Sequence, residues 1–84
     1  MAKSIHRKEY VALIEAVRNA RISAGLTQVQ VSEQLGRSQS FISDVERGKR
    51  RLDVVELRDL AHLSGLSLAG LVADFESRIK AAQR

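Results

Sequence analysis

The chain has 84 residues and a formal net charge of +4, and it contains neither cysteine nor proline. This length is close to the lower limit for one self-sufficient hydrophobic core, and without cysteine neither a disulfide nor a zinc–thiolate site can stabilise it. No apolar run approaches the ~20 residues of a membrane span, and the N-terminus lacks the apolar core of a signal peptide. We therefore expect one cytoplasmic domain over residues 1–84.

Apolar residues recur at helical spacing through most of the chain. This pattern predicts five helices and no strands, at roughly residues 6–24, 28–35, 39–47, 54–64 and 68–82. The first helix runs from about His6 to Ala24, where Gly25 ends it, and Asp53 is a suitable N-cap for the fourth. No internal repeat or linker interrupts the series, so we expect an all-α, compact five-helix bundle.

The second and third predicted helices are joined by a very short turn. Thr27 is a good N-cap for the second helix, and Gly36 stands where a helix needs a C′ residue with positive φ. Ser38 then caps the third helix, which Gly48 ends. Because only Arg37 separates Gly36 from Ser38, the two helices must cross at a steep angle. This is the geometry of a helix-turn-helix, which presents its second helix to the major groove of DNA.

The fifth predicted helix carries an apolar stripe that is longer than a minimal core requires. We assign Leu68 and Leu71 to the monomer core. Phe75 and Ile79 are then the expected contacts of a homodimer, because a two-fold dimer would bury the remaining stripe against itself. The alternative is a frayed tail beyond Phe75, since the sequence ends in the polar segment KAAQR.

Four segments in register resemble a known family: GLTQ at Gly25 to Gln28, the turn at Gly36, SQSFIS at Ser38 to Ser43, and VERGKRR at Val45 to Arg51. They are similar to the helix-turn-helix domain shared by lambdoid phage repressors, Cro and restriction–modification controller proteins. The resemblance covers about residues 13–71 and implies a lambda-repressor-like DNA-binding domain. The chain departs from this family at Ser32, because the family prefers alanine where the two helices touch.

Two charged residues fall on the inward faces of their helices. Arg21 follows Val17 by four residues, and Glu46 comes directly after Val45. A charge that faces the core costs several kcal/mol unless it is paired. We therefore expect Arg21 and Glu46 to form a structural ion pair, and members of the resembled family carry such a pair at matching positions. The alternative is that both side chains extend to water.

Side chains near the start of the third helix are the expected readers of DNA bases: Gln39, Ser40, Ser43, Asp44 and Ser38. Gln39 is the strongest candidate, because its amide can bond bidentately to adenine. The resemblance places base reading on Gln39, Ser40 and Asp44, although a carboxylate at Asp44 could only accept from cytosine N4. Phe41 either touches a thymine methyl or packs on its neighbours, and we favour packing.

The expected phosphate contacts are Thr27, Gln28, Arg37, Lys49, Arg50 and Arg51. Thr27 and Gln28 begin the second helix, where free N–H groups favour anions. In the resembled family the residue matching Gln28 contacts phosphate and supports the reading glutamine. Residues 47–51 carry four basic groups and no acidic group directly after the third helix, so they are placed to hold the flanking strand. The alternative for this basic segment is a solvated loop.

The sequence therefore predicts a sequence-specific, double-stranded DNA-binding transcriptional regulator, a repressor or controller acting as a homodimer on an operator and associated with the nucleoid. The alternative is a protein-interaction module, such as an antitoxin or adaptor, whose partner would cover the stripe of the fifth helix. The chain has no cysteine nucleophile and no phosphate-cradling glycine loop, and His6 and His62 lack metal-ligand spacing. We expect no enzymatic activity, cofactor, metal, membrane contact or small-molecule ligand.

Overall fold

The computed structural model describes residues 7–82, and His6, the predicted start of the first helix, lies outside the described residues. The helices are α1 (Lys8–Ser23), α2 (Gln28–Gln34), α3 (Ser40–Glu46), α4 (Val54–Leu63) and α5 (Leu68–Ala82). The described residues contain no strand, so the predicted all-α class and the five helices are confirmed. None of the helices in residues 7–82 is long and apolar enough to cross a membrane.

One apolar stripe from every helix contributes to a single buried core. Its buried members are Ala16, Val17, Ala20, Val31, Phe41, Ile42, Val45, Leu60, Ala61 and Leu71. Among them Ile42 and Val45, both on α3, are fully inaccessible to solvent. Burial of each such aliphatic side chain contributes about 1.5–3 kcal/mol relative to its exposure. The inner face of α3 is therefore anchored in the core while its outer face remains available.

The interface between α1 and α5 is the most extensive contact between any two helices in the described part of the chain. Alanines repeat every four residues along α1, at Ala12, Ala16 and Ala20. Because these side chains are small and share one face of the helix, α5 can pack closely against it. Ala12 shares a surface groove with Ala82, and Ala20 shares another with Gly70, so the two helices run antiparallel. The two helices are nearly equal in length, with 16 residues in α1 and 15 in α5.

This packing involves one of the two residues expected at a homodimer interface. Phe75, expected at a homodimer interface, is half-buried and packs against the monomer core, where it lines a cavity with Tyr10 and Leu13. Ile79 is also half-buried, but it is not one of the side chains packed against the core cluster. Packing within one molecule therefore accounts for Phe75, but not for Ile79.

The start of α2 has the predicted cap, and the start of α3 does not. Thr27 Oγ1 accepts from Gln30 N at 3.0 Å, and Gln30 Oε1 accepts in return from Thr27 N at 2.9 Å. The prediction that Ser38 caps α3 is wrong. Gln39 is the N-cap residue of α3 and makes no side-chain capping bond, whereas Ser38 Oγ lies 3.3 Å from Ser40 Oγ. Short hydroxyl side chains often bond locally in this way instead of capping.

A serine on α2 supplies the missing bond from the neighbouring helix. Ser32 is fully buried, and its Oγ accepts from Ile42 N in the first turn of α3 at 3.4 Å. The turn between the helices is closed by Gly36, whose φ of +68° suits glycine and strains other residues. Serine at position 32 therefore makes a hydrogen bond that the alanine of the resembled family cannot make, because its hydroxyl accepts from a buried N–H.

We predict that Ser32→Ala lowers the free energy of unfolding by about 1 kcal/mol, because it leaves the buried Ile42 N–H without an acceptor. Urea denaturation measures this change. Ser77→Ala, on the exposed face of α5, is the matched control and should be neutral or stabilising by about 0.5 kcal/mol through helix propensity. An unchanged or raised stability in Ser32→Ala would show that the bond contributes nothing.

Candidate nucleic-acid interface

The residues expected to read bases lie at the exposed end of α3. Ser38, Gln39 and Ser40 are exposed and adjacent, in the turn and the first residue of the helix. In the described part of the chain the Gln39 amide makes no hydrogen bond, so both its donor and acceptor groups are available. Ser43 lies further along the same helix and is half-buried. The structure therefore brings three of the five predicted readers together at the start of α3.

Asp44 differs from the other predicted readers because its charge is already balanced. Its Oδ1 accepts from Arg47 Nη2 at 2.8 Å, one turn further along the chain. The pair is surface-exposed and contributes little stability, but it reduces the repulsion that a free carboxylate would exert on phosphate. Arg47 bonds to Oδ1 alone, so within residues 7–82 the second oxygen of Asp44 has no partner and could accept from cytosine N4.

The buried carboxylate of Glu46 joins α1, α2 and the end of α3. Arg21 Nε donates to Oε2 at 2.6 Å, and Arg21 Nη2 donates to Oε1 at 3.0 Å. The Gln28 amide donates to Oε1 at 3.0 Å. The Glu46 side chain is only 2% exposed, and no buried side-chain polar atom in residues 7–82 lacks a partner. The structure thus places the expected Arg21–Glu46 pair in the core, with both groups hydrogen-bonded.

Arg18 is a third partner of Glu46 that the sequence did not suggest. Its Nη2 donates to the Glu46 carbonyl oxygen at 2.7 Å, and its Nε lies 3.4 Å from Oε1. Arg18 precedes Arg21 by three residues, and residues at this spacing share a helix face. Burial by itself raises the pKa of Glu46, but the hydrogen bonds from Arg21 and Gln28 outweigh it, and the net effect lowers the pKa.

The two expected phosphate contacts at the start of α2 have partners within the protein. Thr27 Oγ1 is occupied by the capping bond to Gln30 N. The Gln28 amide donates to Glu46, and it makes no bond to Gln39. The resemblance implies that Gln28 supports Gln39. In this structure Gln28 instead supports the buried carboxylate of Glu46.

Arg37 and Arg50, expected to hold phosphates, both bind the carboxylate of Glu56. Arg37 Nη1 donates to Oε2 at 2.9 Å. Arg50 binds through two nitrogens, with Nη2 at 2.7 Å from Oε2 and Nη1 at 3.0 Å from Oε1. These bonds, those from Arg50 above all, lower the pKa of Glu56 to about 2. One anion thus neutralises part of the charge of the two arginines, and their contact with phosphate stays a prediction.

Phe41 lies against the same two arginines. The guanidinium carbon of Arg37 is 4.3 Å from the centroid of the Phe41 ring, and that of Arg50 is 4.9 Å from it. Both distances are typical of cation–π contacts. Phe41 is only 4% exposed, so the packing interpretation of this residue is confirmed. Glu56 was missed in the sequence, although it stands three residues after Asp53, the spacing of a capping box.

Lys49 and Arg51 complete the basic segment after α3. Lys49 is exposed and makes no ion pair within residues 7–82. Arg51 is also exposed, and its guanidinium carbon lies 5.8 Å from the centroid of the Tyr10 ring. The Tyr10 hydroxyl accepts from Leu52 N at 3.1 Å, which ties the segment to α1. Of the cations predicted to contact phosphate, Lys49 and Arg51 have the fewest competing partners.

The chain is similar to known proteins in both sequence and structure. The helix-turn-helix domain family matches residues 12–74. A relative from Sinorhizobium fredii, an uncharacterized HTH-type transcriptional regulator, is 42% identical over 52 residues, which is 62% of this chain and 68% of the relative.

Solved structures with the same architecture include two above 25% identity. An XRE-family like protein from Pseudomonas syringae pv. tomato has a TM-score of 0.78 and 39% identity, and the match covers 88% of this chain and 90% of that one. The clp gene regulator ClgR from Corynebacterium glutamicum has a TM-score of 0.77 and 28% identity over 92% of this chain and 84% of its own. A hypothetical transcription factor from Neisseria, at 20% identity and a TM-score of 0.72, shares the fold over 96% of this chain and 92% of its own.

We predict that Arg21→Met lowers the free energy of unfolding by about 3 kcal/mol, at the low end for a broken buried pair, because Gln28 and Arg18 still donate to Glu46. The double change with Glu46→Leu should recover much of that loss, since no buried charge remains. Thermal or urea denaturation measures both. A single variant as stable as the wild type would mean that the pair adds nothing to the fold.

Proposed function

The chain belongs to the family of helix-turn-helix DNA-binding transcriptional regulators, and we propose that it binds an operator in duplex DNA as a homodimeric repressor or controller. The observation that carries this proposal is the exposed, unbonded amide of Gln39 beside Ser40 at the free end of α3. A major groove admits a helix end, and a glutamine amide there discriminates adenine by two bonds. The family consists of regulators and not of enzymes.

Charge around α3 supports contact with the sugar–phosphate backbone. Lys49 and Arg51 follow the C-terminal end of the recognition helix α3, and Arg37 precedes its start. Cations on both sides of a reading helix fix its position on the duplex, while the base contacts supply the preference. The rival function, a protein-interaction module, drew its support from the apolar stripe of α5. That support is weaker because two residues of the stripe, Leu71 and Phe75, belong to or pack against the monomer core.

Homodimer formation is the remaining part of the proposal. A two-fold pair places two recognition helices about one DNA turn, ~34 Å, apart, which matches a palindromic operator. Ile79 is the predicted contact that the monomer core does not include. A rival surface is the start of α4, where Val54 and Val55 are 65% and 64% exposed.

Base reading and phosphate binding are separated by two substitutions. We predict that Gln39→Ala costs ~1–3 kcal/mol on an operator selected from a random duplex library and relaxes the preference at one base pair. Lys49→Ala should weaken binding to all duplexes similarly and flatten the salt dependence by about one unit. Fluorescence anisotropy titrations measure both. If both variants lose affinity without any change in preference, α3 is not the reading helix.

The homodimer is tested by sedimentation of the wild type, Ile79→Asp and Val55→Asp at tens of micromolar. We expect a dimer for the wild type and for Val55→Asp, and a monomer for Ile79→Asp, because the new carboxylate would be buried in the interface. Circular dichroism establishes that each variant is folded. The reverse order of the two variants would move the interface to α4, and a monomeric wild type would contradict homodimer formation.

A further inference from the structure

Glu56 makes the most extensive ion-pair contact on the surface that flanks α3. Its carboxylate binds Arg37, which lies before α3, and Arg50, which lies after it, although it belongs to α4 itself. Both arginines are about one-third exposed, with 38% and 36% of the side-chain surface accessible, whereas the Glu56 side chain is 15% exposed. An anion is therefore held between two of the cations that would otherwise face phosphate.

We propose that Glu56 restrains sequence-independent DNA binding, so that stable binding depends on the base contacts of α3. This inference rests on the proposed function and assigns a role in DNA binding to a residue that contacts neither bases nor phosphates itself. In the unbound protein the two arginines and Glu56 together carry one net positive charge. A phosphate that approaches either arginine must share it with, or displace, the carboxylate.

The restraint follows from how proteins bind duplex DNA without sequence preference. That affinity comes from cations that replace the counterions condensed on the phosphates, and each phosphate neutralised adds about 0.9 to the salt dependence of log K. Arginines already paired with a carboxylate gain less from a phosphate than free ones do. Base contacts are unaffected by Glu56, because Gln39 lies in the turn at the start of α3 and makes no bond to this cluster. Base contacts therefore supply a larger share of the total binding free energy than they would if both arginines were free.

Two features keep the carboxylate in place. Glu56 Oε1 accepts from Asp53 N at 3.0 Å, and Asp53 Oδ1 accepts from Glu56 N at 2.8 Å, so the residue belongs to the capping box of α4. The Phe41 ring lies under both guanidiniums and limits their movement away from Glu56. The low pKa of Glu56, about 2, keeps it ionised at neutral pH, so protonation does not release the arginines.

Arg37 can still reach a phosphate when α3 is correctly seated. Only its Nη1 is bonded to Glu56, and the described residues provide no partner for its other nitrogens. Arg50, in contrast, uses both terminal nitrogens for Glu56, and Nη1 also donates to the carbonyl oxygen of Arg51 at 2.9 Å. Arg37 can therefore share a phosphate, whereas Arg50 stays bound to Glu56.

The test is Glu56→Gln in the full chain, titrated against a random duplex and a selected operator of equal length. Glutamine removes the charge but can keep the capping box, since Gln30 has this role in α2. Circular dichroism and thermal denaturation check the fold. We expect tighter binding to the random duplex and a salt dependence steeper by about one to two units, which is about four- to sixteenfold more loss of affinity between about 50 and 200 mM salt. The operator should gain affinity by no larger a factor than the random duplex.

Asp59→Asn is the matched control, because it removes one negative charge from an exposed position on the same helix that makes no ion pair within residues 7–82. We expect it to change the salt slope by less than half as much as Glu56→Gln. An equal effect of the two variants, or unchanged or weaker random-duplex binding by Glu56→Gln, would overturn the proposal while operator binding by the wild type leaves the proposed function intact. If neither the wild type nor Glu56→Gln binds any duplex at low salt, both fail.

Discussion

The structure depends on the satisfaction of one buried carboxylate, that of Glu46. An unpaired charge at this depth would cost more than most single contacts in a domain of this size contribute. Arg21 and Gln28 meet it from two other helices, and Arg18 closes the end of α3 through the carbonyl oxygen. Because each donor comes from a fixed backbone, the bonds determine where α3 lies relative to α1 and α2. The recognition helix is held from its C-terminal end.

The opposite end of α3 is held more loosely. Capping boxes close the starts of α2 and α4, but α3 begins at Gln39 without a side-chain cap, and only Ser32 reaches one of its free donors. Local hydrogen bonds at a helix start compete with contacts to a ligand, because the same N–H groups serve both. Helix α3 is fixed at its C-terminal end, and the polar groups at its start remain available. This arrangement suits contact with a duplex.

Two carboxylates, those of Glu46 and Glu56, determine which arginines near α3 are already paired within the protein. Glu46 engages Arg21 and Arg18, and Glu56 engages Arg37 and Arg50. The formal charge of +4 is therefore a poor guide to how strongly the surface attracts phosphate. What matters is which cations remain without a carboxylate partner, and this favours Lys49 and Arg51. Comparable total charge on a related chain would give different salt dependence if its carboxylates lay elsewhere.

The sequence by itself determined the helices and the turn between α2 and α3, because these depend on local signals. Helix periodicity, the N-cap at Thr27 and the positive φ required at Gly36 act over a few residues. The bounds of α2 to α5 agree with the predicted ones to within one residue. Even the buried pair of Arg21 and Glu46 could be predicted from the sequence, because a charge that faces the core requires a partner.

Only the tertiary structure decided which partner each remaining charge and apolar residue takes. The contact of Glu56 with Arg37 spans 19 positions, and the contact of Tyr10 with Leu52 spans 42. Sequence spacing carries no information about such pairs, since they form where separate helices happen to approach. The same holds for Phe75, which periodicity placed on an apolar stripe without showing that α1 covers it. Local rules fix the elements, and the packing of distant elements fixes which side chains remain free to bind.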